Sequence, residues 1–269
     1  MIPFFSIIVV CLNPGEGLLQ TIESIQKQTF QDYEIIIKDG GSTDGSLEKI
    51  DPSQNGVNIV SKPDQGIYDA MNQAVELAKG RFVFFLNCGD LFRDQQVLAK
   101  MQSAILQKEQ SGESPSGIYY GDVYERTTGQ PVTSNPKLDA FGCYRNVPCH
   151  QACFYERQLL LRHPFDLAYR VRADYEQFLW CFFEAKANPF YTGIMVADYE
   201  GGGFSETKKN LAVSRKEHRS IVKKYMSFRQ LLVYRLILCI TLAPLRTRLS
   251  KNEKTAAIYN KLKTALYRK

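Results

Sequence analysis

Apolar and polar residues follow two distinct periods along the first hundred positions. Residues 6–12 and 34–37 are nearly unbroken runs rich in Ile and Val, the pattern of strands covered on both faces in a parallel sheet. Between them Leu18, Leu19, Ile22 and Ile25 recur at three- and four-residue steps, which places them on one face of a helix. Pro14 and Gly15 mark the loop before that helix. The alternation continues with a short strand at 58–61, a helix at 68–78 stopped by Gly80, a strand at 82–86 and a helix at about 95–106.

The second half is less regular. Residues 108–117 hold Ser, Gly, Pro and charge with little to bury, which predicts a surface loop. A strand follows at 118–124, a hairpin or loop at 127–137 and a mixed segment at 149–155. Phe178, Leu179, Phe182 and Phe183 give helical spacing within 174–184, and 191–197 reads as a last strand before Gly201, Gly202 and Gly203. From Lys208 onward the chain reads as helical and basic. The pattern predicts an α/β fold with a mostly parallel, Rossmann-like central sheet flanked by helices, spanning 1–206, and a basic helical tail at 207–269.

Charge sharpens that division. Of 34 Lys and Arg, 17 lie in 207–269 against 2 of the 28 Asp and Glu, so residues 1–206 are net acidic although the chain carries +6 overall. Phe228, Leu231, Leu232, Tyr234, Leu238 and Leu242, with Arg229, Arg235, Arg246 and Arg248, predict an amphipathic helix suited to an anionic membrane surface. The longest charge-free apolar stretch of the tail, 236–245, is broken by Pro244 and falls short of the roughly 20 residues that span a bilayer. No nucleic-acid motif or stacking pattern accompanies the basic residues, so nucleic acid is not expected as a partner. Seven cysteines without a Cys-x-x-Cys pair fit a reduced compartment. The first residues lack a basic leader and a cleavage site. Together these features predict a cytoplasmic protein, peripheral on the inner face of the plasma membrane.

Three glycine-containing acidic stretches each follow a predicted strand: residues 38–45, 64–72 and 85–90. In an open parallel sheet, ligands bind outside the carboxyl ends of the strands. Acidic, flexible loops gathered there predict a site for a nucleotide and its metal. The first strand runs into Asn13, Pro14, Gly15, Glu16 and Gly17 rather than Gly-x-Gly-x-x-Gly, which argues against a dinucleotide-dependent oxidoreductase.

Residues 6–13, Asp39-Gly40-Gly41-Ser42-Thr43-Asp44-Gly45, the 64–72 stretch and Leu86-Asn87-Cys88-Gly89-Asp90, in this order and spacing, resemble the family 2 inverting glycosyltransferases of the GT-A fold. Residues 150–155 and 172–176 look like acceptor-side elements of bacterial members that assemble surface polysaccharide. The resemblance covers roughly 4–206 and implies a donor-binding part at about 1–107 and an acceptor-binding part at about 118–206.

It further implies transfer of a sugar from a nucleoside diphosphate to a glycan or lipid-linked acceptor. Asp39 matches the carboxylate that holds the nucleotide base, with a turn-capping Asp as its structural alternative. Asn13, Gly41, Asp64, Asp69, Asn72 and Asn87 are the further donor contacts implied. Asp90 matches the ligand of a divalent cation, Mg²⁺ or Mn²⁺, although Asn87 and Gly89 stand where acids are frequent and a strand-end cap is the alternative role. Met71 stands where an Arg is frequent, leaving Lys62, Arg81 or the metal to neutralise phosphate. Asp174 matches the general base, in a position where an Asp also suits a helix N-terminus. His150 and Gln151 are read as acceptor-pocket residues, while Cys149, His150 and Cys153 offer only three of the four ligands of a zinc site. Gly202, Gly203 and Ser205 suggest a flap or a plain turn. The rival readings are a nucleotidyltransferase and a non-catalytic membrane-associated assembly protein.

Overall fold

Strand β1 (Phe5–Cys11) is buried along nearly its whole length because it has a neighbour on each side and helices on both faces. It pairs in parallel with β2 (Tyr33–Asp39) and with β4 (Phe82–Phe85), and β2 pairs in parallel with β3 (Val57–Ser61). The computed structural model describes residues 2–51, 56–112, 117–201 and 207–241. Expectations for Gly202, Gly203, Ser205, Leu242, Arg246 and Arg248 lie outside those residues.

Helix α1 (Glu16–Gln26) turns Leu18, Ile22 and Ile25 to the sheet, as their spacing requires. Helix α2 (Ile67–Leu77) does so with Ala70, Met71, Ala74 and Val75. Gly80 does not stop that helix, which ends at Leu77 with Ala78 already extended. A Cβ on Gly80 would lie 2.5 Å from the Ser6 backbone nitrogen, so the glycine lets the chain enter β4 against β1. The next helix, α3, is longer than its apolar spacing indicates (Val97–Gln110), and Lys108 in its last turn is buried with its ammonium over the Phe190 ring.

Beyond β4 the sheet becomes antiparallel. Its order is β3-β2-β1-β4-β8-β6-β9-β5, where β5 is Leu91–Phe92, β6 Ile118–Glu125, β8 Cys153–Glu156 and β9 Phe190–Tyr199. Strand β8 runs antiparallel to both β4 and β6, whereas β6 and β9 are parallel. Within the expected 127–137 hairpin, β7 (Gln130–Val132) pairs with the end of β6. Phenylalanines seal this junction: the Phe84 and Phe154 rings stack at 4.3 Å across the β4–β8 pair. Short helices α4 (Ala140–Arg145) and α5 (Arg157–Arg162) lead to α6 (Ala173–Phe183).

By its internal contacts the chain divides into Met1–Ile221 and Val222–Lys269. Most of α7 (Lys208–Tyr225) therefore belongs to the first unit, past the break in charge at 206/207. Helix α8 (Phe228–Ile240) opens on a capping box made by Ser227 and Gln230. It leaves Phe228, Leu232, Val233, Leu236 and Ile240 exposed. No helix among the described residues is long and apolar enough to cross a membrane.

Candidate active site

The loops that leave β1, β2, β3 and β4 meet at the carboxyl end of the parallel half-sheet, where the sequence pattern gathers its acids. Asp39 closes β2 and turns inward. Its carboxylate is fully buried and accepts hydrogen bonds from the Gly41 and Ser42 backbone amides, the Ser42 hydroxyl at 2.5 Å and the Ser61 hydroxyl at 2.6 Å. Burial pushes its pKa up, but these donors outweigh burial and hold it below the ordinary carboxylate value. In this conformation Asp39 organises the loop, the turn-capping alternative, with both carboxylate oxygens engaged by the loop's own donors. Gly41 serves the same turn with a φ of 103° that only glycine adopts readily.

Asp64 sits next to it and remains partly open. Its Oδ2 accepts from Lys38 Nζ at 3.1 Å, and its Oδ1 accepts from the Gly66 amide. Lys38 itself is fully buried and also donates to the carbonyls of Asp39 and Lys62. Gly40 makes room for this pair, since a Cβ there would approach Asp64 Oδ2 to 2.9 Å. A lysine in the interior of a strand reads from sequence as an interruption; only its partners reveal that it ties the β2 and β3 loops together.

Asn13 and Asp44 tie the first two loops. The Asn13 amide donates to the Ser42 hydroxyl, its side-chain oxygen accepts from Thr43, and Asp44 accepts from the Gly15 amide. Asp69 and Asn72 both lie on α2. Asp69 accepts from Gln65 and Gln73 at the start of α2, and Asn72 spends both ends of its amide on the backbone of Phe165. Arg81 lies at the opposite, amino-terminal end of β4, paired with Glu109 and stacked on Phe82, so it cannot neutralise phosphate at the loop end. Met71 is buried in the core.

At the junction of the parallel and antiparallel halves, a single 3₁₀ turn, His150–Ala152, reaches two carboxylates at once. Gln151 Nε2 donates to Asp90 Oδ2 at 3.0 Å. His150 Nδ1 stands 3.5 Å from Asp174 Oδ2, and its Nε2 stands 3.3 Å from the Asn87 side-chain oxygen. With His150 turned to these groups and Cys149 donating to Gln151 Oε1 at 2.6 Å, the three residues do not converge on a common zinc position.

Asp174 lies in the first turn of α6 with 29% of its side chain exposed. The Tyr68 hydroxyl lies 2.9 Å from both its Oδ1 and the Val171 carbonyl, either of which it can donate to. Burial raises the Asp174 pKa, but hydrogen bonding from His150 and Tyr68 and the His150 charge bring it below the ordinary value. Asp174 is thus an ionised, partly open carboxylate with fixed orientation. Tyr68 lies inside the 64–72 stretch, but the sequence alone carries no sign of its contact with a residue a hundred positions later.

Asp90 is the opposite case. It is 6% exposed and accepts from Gln151 and from the Glu200 amide, yet burial outweighs these bonds and raises its pKa. A neighbouring cation would favour its charged form. Among the described residues no three His, Cys, Asp or Glu side chains cluster to cage a metal. Cys88 is held as a thiol by burial, its pKa pushed up to about 11. Asp90 and Asn87 instead offer hard oxygens, a donor set that fits an ion completed by phosphate and water.

The parallel half-sheet, the acid-bearing loops at its carboxyl end and the partly open carboxylate at the head of α6 form one candidate site. The model of glycosyl transferase family 2 matches residues 6–164, and the chain belongs to that family. It is 38% identical over 211 residues to the PGL/p-HBAD biosynthesis glycosyltransferase of Mycobacterium tuberculosis, covering 76% of this chain and 80% of that protein. It is 30% identical to the glycosyltransferase GlyG of Streptococcus pneumoniae over 140 residues, 48% of this chain and 46% of that one.

Among solved structures, S. aureus TarS 1-349 with UDP-GlcNAc has a TM-score of 0.61 at 19% identity, covering 79% of this chain but 64% of its own. The Pyrobaculum calidifontis mannosyltransferase PcManGT with GDP-Man and Mn²⁺ has 0.58 at 13% identity, covering 96% and 83%. Glucosyl-3-phosphoglycerate synthase of Mycobacterium tuberculosis, with Mn²⁺ and UDP, has 0.55 at 16% identity, covering 83% and 80%. These structures establish the likeness of fold.

Proposed function

We propose that this glycosyltransferase moves a sugar, with inversion, from a nucleoside diphosphate to a hydroxyl of a glycan or lipid-linked acceptor in bacterial polysaccharide or glycolipid assembly. The observation that carries the reading is the placement of Asp90 and Asp174 on either side of the His150–Gln151 turn. Asp174 takes the proton of the acceptor hydroxyl as that oxygen attacks the anomeric carbon opposite the leaving diphosphate. Tyr68 and His150 hold the base ionised and fix its orientation. His150 and Gln151 line the acceptor side.

On the donor side Asp64, anchored by Lys38 and seated against Gly40, takes the base or ribose, while Asp39, Gly41 and Asn13 shape the loop around it. This assigns the contact first expected of Asp39 to its neighbour. Asp90 with Asn87 would hold a Mg²⁺ or Mn²⁺ ion that offsets charge on the departing diphosphate. Two of the fold neighbours bind Mn²⁺ beside a nucleotide or nucleotide sugar, which supports this choice. The names of the mycobacterial relatives refer to PGL biosynthesis, which supports a lipid-linked acceptor. The exposed apolar residues of α8, which do not form the single amphipathic stripe expected from the sequence, and the 17 basic residues of 207–269 support contact with an anionic membrane surface.

Thermal stabilisation by UDP-, GDP- and dTDP-sugars, each with and without Mn²⁺, tests the donor assignment. Stabilisation by one nucleotide class, increased by Mn²⁺, is expected. The anomeric configuration of the product then tests inversion. A product that retains the donor's configuration would overturn the mechanism, and release of pyrophosphate would make the protein a nucleotidyltransferase.

A further inference from the structure

Helix α7 buries Asn210, Ser214, Glu217, Ile221 and Val222, and three of these five residues are polar. A helix that docked for stability alone would bury apolar side chains. The buried carboxylate of Glu217 has specific partners: Oε1 accepts from the Arg170 amide at 2.8 Å, and Oε2 accepts from the Val171 and Arg172 amides at 3.0 and 2.9 Å. Ser214 accepts from Arg172 Nε at 2.7 Å, and His218 stands 3.3 Å from the Tyr175 hydroxyl. The segment gripped in this way leads directly into α6 and Asp174. From the other side Tyr68 reaches the Val171 carbonyl and Asp174 itself.

We infer that Glu217 is a positioning residue of the transferase: by holding three consecutive amides of the strand of chain before α6, it fixes where the Asp174 carboxylate points. The inference rests on the assignment of Asp174 as the base. Charged acceptors make the stronger hydrogen bonds, and three to one carboxylate leave the 170–172 backbone little freedom. Small misplacement of a catalytic group costs turnover rather than donor binding, since the donor lies on loops that Glu217 does not touch. A segment whose sequence reads as part of a basic tail thus completes the catalytic unit.

The test uses full-length protein carrying Glu217→Gln or Glu217→Ala beside Asp174→Asn. Hydrolytic nucleoside diphosphate release from UDP-glucose, UDP-GlcNAc, GDP-mannose and dTDP-rhamnose, with water as the hydroxyl acceptor that Asp174 deprotonates, is followed with Mn²⁺, and amide exchange of peptides covering 168–176 is followed without substrate. For Glu217→Ala, kcat is expected to fall about 100-fold with KM for the donor within about twofold, with part of the loss recovered in Glu217→Gln. Amides 170–172 should exchange faster in Glu217→Ala while peptides of β1 and β4 stay protected. Unchanged exchange at 170–172 in Glu217→Ala would overturn the inference. So would wild-type kcat in that variant while Asp174→Asn is inactive. Full turnover in Asp174→Asn removes the base assignment instead, and with it the positioning role, whether or not exchange changes.

Discussion

His150 Nδ1 stands 3.5 Å from Asp174 Oδ2 while the next residue, Gln151, donates to Asp90. One turn of backbone therefore sets the separation between the carboxylate assigned to the acceptor and the carboxylate assigned to the leaving group.

Replacing Asp174 with Asn keeps the shape of the side chain and removes the base. Turnover should fall by about 10³-fold, the middle of the range for general-base catalysis, with donor affinity unchanged. Steady-state kinetics with varied donor, together with donor-induced thermal stabilisation, check both halves.

The acid limb of the rate profile follows the base. The Asp174 pKa lies below the ordinary carboxylate value because the His150 and Tyr68 interactions outweigh burial. Activity should therefore persist below the ordinary range and decline only as pH passes the lowered value. In His150→Ala the base loses its largest stabilising partner, its pKa rises, and the acid limb of kcat/KM should move to higher pH. A limb unmoved by this change would show that His150 does not support the base.

Asp39 links the same physics to folding. Its folded pKa is below that of the unfolded chain, so its contribution is present above the unfolded value and is lost as pH falls through the folded value. Asp39→Ala would leave the Gly41 and Ser42 amides without their acceptor and should destabilise the protein by about 3 kcal/mol at neutral pH, with less effect at acidic pH. Denaturant melts at two pH values measure the difference.

Gly40→Ala places a methyl 2.9 Å from Asp64 Oδ2. Asp64 must then shift off Lys38, and donor KM should rise about tenfold while kcat at saturation changes little. Lys38→Met should do more, because it removes the cation paired with Asp64 and the ammonium's bonds to the Asp39 and Lys62 carbonyls, the first of which keeps only the Lys62 amide. The comparison of the two variants by kinetics and thermal melt separates loop geometry from loss of fold.

If α8 meets a membrane, replacing Phe228, Leu232 and Leu236, all more than half exposed, with Asp should abolish sedimentation with vesicles containing anionic lipid. Turnover on a soluble acceptor should remain.

Runs of Ile and Val at 6–12 and 34–37, the helical spacing of Leu18, Ile22 and Ile25, and acids placed after strands were enough to read the parallel half-sheet and the end that carries the site. Local periodicity reports which face of an element is buried, and a parallel order follows from alternating strands and helices. The antiparallel half was harder to read, because β8 finds its place only by pairing with β4 and β6, which lie far from it in sequence. The resemblance singled out Asp90 and Asp174 and grouped His150 with Gln151. Tertiary structure alone decided that Asp39 turns inward while Asp64 stays partly open, that Lys38 and Tyr68 anchor carboxylates, and that Glu217 grips the approach to Asp174. A side chain's role depends on which partners satisfy its hydrogen bonds and charge once it leaves water. Those partners lie up to 110 residues away, where no local pattern records them.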